Sequence, residues 1–137
     1  LENNIEIADA IFYDHENIYF MHNKSKFNGI GTRDVTNQVL TAAEYFQHHI
    51  IHLDKVDFLK KYYLKINEMY RKKGKELHIS EEEFVKILSS ERKKNYIVGY
   101  VESFSESSRS NYAKYLSVEL RKKIHAKGYG LYILALK

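Results

Sequence analysis

The chain has no cysteine, no proline and only six glycines in 137 residues. Without cysteine there is no disulfide and no thiolate-held zinc, a pattern that suits a reducing, cytoplasmic setting. No stretch approaches the roughly 18 consecutive apolar residues of a membrane-spanning helix. The first residues also lack the basic-then-apolar pattern of a secretory signal. An initiating methionine is missing too, which points to a segment of a longer protein whose other domains are among its expected partners. Zero proline beside abundant Lys, Asn, Ile and Tyr is the composition of an AT-rich bacterial genome. A nucleophilic triad has nothing to stand on: there is no Cys, no G-x-S-x-G turn, and the serines cluster between Ser105 and Ser110 without a nearby His.

What is present is a foldable chain. Apolar residues make up 44% and aromatics 14%, enough for one domain over 1–137 with a core of its own. Net charge is +4, and the excess is gathered into Arg71-Lys72-Lys73, Arg92-Lys93-Lys94 and Arg121-Lys122-Lys123. Such clusters suit a polyanion, and Lys72, Lys73, Arg92, Lys93, Lys94 and Arg121 are the cations expected on a nucleic-acid backbone. The plainer alternative is a set of solvated helix ends, where cations are favoured by the helix dipole.

Hydrophobic periodicity divides the chain into eight elements. Residues 5–12 alternate as a strand, a polar turn follows at 13–17, and Ile18–His22 closes an antiparallel hairpin. Asn23–Arg33 reads as a loop broken by Gly29 and Gly31. A helix capped by Thr32 or Asp34 should then run to about His52, with Val35, Val39, Ala42, Phe46 and Ile50 at helical spacing. A second helix starts near Asp54 and stops at Gly74, and Ser80 with Glu83 forms a capping box for a short third. Residues 95–104 form a strand, 117–127 a helix ending at Gly128, and 129–136 a last buried strand. The order β-β-α-α-α-β-α-β predicts an α/β fold, a mixed central sheet flanked by helices, with a helical insertion at about 54–90.

Chemistry gathers in the hairpin. His22 and Lys24 are two apart on one strand and so share a face. Asp9 can lie across from them. A carboxylate beside a lysine suits metal-assisted phosphodiester hydrolysis, in which the carboxylate holds a hard cation and the lysine orients water or stabilises charge. An ordinary strand-end ion pair would use the same residues.

This arrangement resembles the PD-(D/E)xK, or restriction-endonuclease-like, superfamily. There, one strand carries Asp and the next carries (E/Q)xK, followed by a helix and then β-α-β. Asp9 matches the motif Asp and Lys24 the motif Lys, while His22 stands where Glu or Gln is expected. Within that superfamily the chain is similar to a sporadically distributed bacterial family with an E-x-x-D strand, an H-x-K strand and a terminal helix followed by a G-Y-hydrophobic strand. Glu6, Asp9, His22, Lys24 and Gly128-Tyr129 follow that layout. The resemblance implies a nuclease using Mg or Mn on DNA, with RNA the lesser expectation, in a defence or mobile-element protein. It casts Asp9, His22, Lys24 and the helix residue Gln38 as catalytic, and Asp9 with Glu6 as metal ligands. Imidazole is a poor magnesium ligand. Either Glu6, Glu16 or Glu44 takes the place of His22, or the site prefers manganese, or activity is lost. A catalytically silent nucleic-acid-binding domain and a protein-interaction domain docking through 54–90 are the alternatives.

Three further patterns carry weaker signals. The Gly29–Asp34 segment can offer backbone N–H groups to a phosphate, with Arg33 gripping it, although no Walker or dinucleotide spacing is present. His48 and His52 have the i, i+4 spacing of a helical zinc pair but no third ligand. Most of the twelve tyrosines fall on apolar stripes, Tyr62, Tyr63 and Tyr70 among them, whereas Tyr112 and Tyr115 are expected to be exposed.

Overall fold

The computed structural model describes residues 8–24, 29–51, 55–100 and 111–135. Its elements, in order, are β1 (Ala10–Tyr13), β2 (Asn17–Lys24), α1 (Gly29–Ile50), α2 (Lys55–Lys72), α3 (Glu81–Leu88), β3 (Lys93–Tyr100), α4 (Asn111–Ala126) and β4 (Gly130–Ala135). The protein is α/β, with a four-stranded mixed sheet in the spatial order β1-β2-β3-β4. It divides into two compact units, residues 1–45 with 93–137 and residues 46–92.

The first unit is built on β2, whose side chains alternate between buried and half-buried, with Ile18, Phe20 and His22 turned into the core. A tight turn joins it antiparallel to β1, pairing Ala10 with Met21 and Tyr13 with Ile18. Asp14 makes that turn: its Oδ1 accepts the N–H groups of Glu16 and Asn17, each at 2.8 Å. Those two donors hold its carboxyl below the ordinary aspartate range. β3 lies parallel to β2 and β4 parallel to β3, so Lys24, Tyr100 and Ala135 end one row.

Within the first unit, two parallel crossovers stepping in the same direction place the start of α1 and α4 on one face of the sheet. The Tyr100 hydroxyl meets the Thr32 hydroxyl of α1 at 3.2 Å, and Lys127, just past α4, reaches Glu44 of α1 at 3.9 Å. The other face carries Phe12, Tyr19, Met21, Ile97, Tyr132 and Leu134, with Phe12 43% and Tyr132 48% exposed. On that face Gly130 sits beside Asn95, and a Cβ at Gly130 would collide with Asn95 Oδ1. Asn95 is fully buried, and its Nδ2 donates to Asn17 Oδ1 at 3.1 Å, to Lys93 O at 3.2 Å and to Ile18 O at 3.3 Å.

α1 begins earlier than its glycines predict. Residues 29–34 are the first turns of the helix, not a loop, because Gly31, Thr32, Val35, Thr36 and Val39 form a continuous buried stripe. Tertiary burial outweighs the roughly 1 kcal/mol that each glycine costs a helix. α4 likewise starts at Asn111 rather than 117, and β2 extends two residues past His22. The glycine stops are as expected. Gly74 at φ 70° and Gly128 at φ 82° close α2 and α4, with Lys75 N donating to Tyr70 O and Tyr129 N to Ile124 O.

The second unit is knitted by aromatic rings. Phe58 stacks on His49 with centroids 4.4 Å apart, while Tyr62 and Tyr63 both lie against Phe84. The Tyr63 hydroxyl donates to Ile79 O at 2.6 Å. Ser80 caps α3, its hydroxyl accepting Glu83 N–H at 3.2 Å. The tyrosine stripe of α2 is thus packing, as its spacing indicates, although Tyr70 is 40% exposed.

Candidate functional site

Open α/β sheets bind ligands outside the carboxyl ends of their parallel strands. Here that end is marked by Lys24 on β2 and Tyr100 on β3, with the start of α1 above them. Asp9 reaches the same end from β1. Its N–H donates to Met21 O at 2.8 Å, and its Oδ2 accepts the N–H of Asn23 at 2.9 Å. The carboxylate therefore extends the β1–β2 ladder by one hydrogen bond. It remains exposed, with acceptor capacity left over after that bond.

Lys24 is partly exposed and its Nζ stands 3.9 Å from Asp34 Oδ2 in the second turn of α1. Asp34 is the residue that sequence reasoning missed as a site component, having been read only as a helix cap. No local signal pairs it with Lys24, because the pairing depends on how α1 lies over β2. A half-exposed pair of this kind is worth less than about 1 kcal/mol, so it orients the ammonium more than it stabilises the fold.

His22 is elsewhere in environment, though next but one in sequence. It is fully buried and stacks on Tyr96 at 6.2 Å, continuing the Phe20–Tyr96 stack at 5.1 Å. The strand alternation puts it on the Lys24 side, but inward of the opening. Among the acids weighed to stand in for it, Glu16 belongs to the β1–β2 turn at the opposite end of the sheet, and Glu44 pairs with Lys127. Glu6 lies outside the described residues. Among the described residues no group of three or more His, Cys, Asp or Glu is placed to hold a metal ion. The described residues alone do not complete a metal shell at this end.

The remaining expected residues sit on several elements. Arg33 and Gln38 are exposed on α1, and helix from Gly29 onward removes the loop in which Arg33 was to grip a phosphate. Lys93 and Lys94 open β3, at the end of the sheet away from Lys24. Arg92 turns back on Ser90, its Nη1 donating to Ser90 Oγ at 3.1 Å. Lys72 and Lys73 are exposed at the end of α2, and Arg121 is exposed on α4. His48 meets His49 edge-on at 5.1 Å, and His52 lies outside the described residues. No helix among the described residues is long and apolar enough to cross a membrane.

No protein-family model matches the chain, and no curated protein or solved structure does either.

Proposed function

We propose that the chain is a nuclease-like domain of restriction-endonuclease-like fold, hydrolysing phosphodiester bonds in DNA at the carboxyl end of its parallel strands. What supports this reading is that Asp9, just ahead of β1, and Lys24, closing β2, lie at the same end of an antiparallel strand pair followed by a helix and then β-α-β. Lys24 would offer its ammonium to a non-bridging phosphate oxygen, and Asp34 keeps it turned toward the opening. Asp9 would supply one carboxylate of a magnesium or manganese shell, with Glu6 as the expected second. Such an ion supplies charge screening of the phosphate and a more acidic water. Hydrolysis adds water across one P–O bond and leaves a phosphomonoester and a hydroxyl.

The experiment is a cleavage assay on DNA with each metal, comparing the unaltered chain with Lys24→Ala and Asp9→Asn. The asparagine keeps an acceptor for Asn23 N–H while removing the charge, which separates the ladder role from the chemical one. Cleavage lost in both variants supports the reading. Cleavage that survives both refutes the site. A second reading, a catalytically silent nucleic-acid-binding domain of the same fold, is favoured by the burial of His22 where a ligand would be wanted. Binding without cleavage under either metal selects it.

A further inference from the structure

We infer that the outward face of α4 holds single-stranded nucleic acid, its exposed tyrosines stacking on unpaired bases and its cations tracking the phosphates. This names the substrate form of the site proposed above, and its place in catalysis rests on that reading.

The inner face of α4 is accounted for by Ala113, Leu120 and Ile124, all buried. Its outer face is not what an idle solvated helix carries. Tyr112 is 51% and Tyr115 58% exposed among the described residues, so about half of each is open to a ligand. Three residues apart, they lie side by side on the helix surface. At about 100° per residue Lys122 falls in line with Tyr115, Tyr112 stands about 60° to one side, and Lys114 with Arg121 about 100–120° to the other, so rings and cations spread over the outer half of the helix. All are exposed. One acid, Glu119, lies among them, and it is taken up by Lys122 at 3.7 Å. The net field of this face is positive, which is the complement of a phosphate backbone.

Position supports the same occupant. α4 follows β3 and ends beside the start of β4, so it runs back along the sheet and its tyrosine end lies toward the carboxyl ends of the strands. That is the end where Lys24 and Asp9 are found. A duplex would offer this face only phosphates. A single strand also offers open base faces, and ring stacking is where exposed tyrosines contribute.

The test is fluorescence anisotropy with labelled oligothymidylate and a labelled duplex, using the full chain carrying Lys24→Ala, in chelator so that nothing is cut. The single strand should bind more tightly than the duplex. Tyr112→Ala and Tyr115→Ala should each weaken that binding roughly fivefold or more, while the phenylalanine variants stay within about twofold. Lys114→Gln and Arg121→Gln should each flatten the dependence of log K on log salt by about 0.7. Equal binding by the alanine variants, preference for duplex, or no measurable binding would each overturn the inference. Cleavage by the unaltered chain speaks to the active-site reading separately. Tight binding with no cleavage sinks the nuclease and leaves α4 standing. Cleavage indifferent to both tyrosines does the reverse.

Discussion

Replacing Gly130 with alanine should destabilise the protein far more than a surface methyl normally does. The added Cβ would collide with Asn95 Oδ1 and come within 3.5 Å of Lys93 Cε. Gly130 has no positive φ, so backbone strain plays no part and the whole effect is spatial. Asn95 has little freedom to yield, since it is fully buried and its amide nitrogen is tied to one side-chain and two backbone oxygens. Forcing a group into such packing costs about 1–3 kcal/mol. If the amide swings out instead, buried acceptors lose their donor, at about 1–3 kcal/mol. Either route gives a loss of about 1–3 kcal/mol, lowering Tm by on the order of 5–10 °C. Urea unfolding followed by circular dichroism would measure it, with Asn95→Ala and the double variant completing a cycle. Asn95→Ala removes the obstacle, so adding Gly130→Ala to it should cost less than about 1 kcal/mol. Additive losses, or an unaffected Gly130→Ala protein, would refute the collision.

Three further outcomes are expected. Ser80→Ala should cost about 1 kcal/mol by removing the cap on Glu83 N–H, read as faster hydrogen exchange in the first turn of α3. Burial pushes the Tyr129 hydroxyl up to about 12 from 10.0, so the folded state favours the protonated phenol. Its contribution is complete below pH 10 and is lost as the pH rises through 12; Tyr129→Phe should therefore shift alkaline unfolding upward, and an unchanged alkaline midpoint would contradict this. Asp34→Asn should change unfolding free energy by less than about 1 kcal/mol while altering any cleavage that depends on Lys24, a split that separates orientation from stability.

The element order was legible because each element carries its own punctuation. Gly74 and Gly128 end helices, Ser80 starts one, and Asp14 with Asn17 turns the hairpin. The start of α1 is not legible in the sequence because Gly29 and Gly31 favour a loop locally, while burial of Thr32 and Val35 decides otherwise. The opening turns of α4 carry exposed tyrosines, which obscure the helical pattern. At the candidate site, Asp9 and Lys24 were visible as a strand-to-strand motif. Asp34 and Asn95 were not: what matters about each is a partner on another element, and only the packed chain supplies it.

The parallel pairing of β2 with β3 has a consequence in time. Asn17 and Asn95 meet across 78 residues of chain, so the middle of the sheet closes late in folding. During synthesis at about 5–20 residues per second, the β1–β2 hairpin waits on the order of 4–15 seconds for β3 to appear. Through that interval Ile18 and Phe20 have no β3 beside them and one edge of β2 is unpaired. An open edge of that kind is a template for pairing with other chains. Yield on expression should thus depend on temperature and chaperone supply more steeply than the stability of the finished fold would indicate.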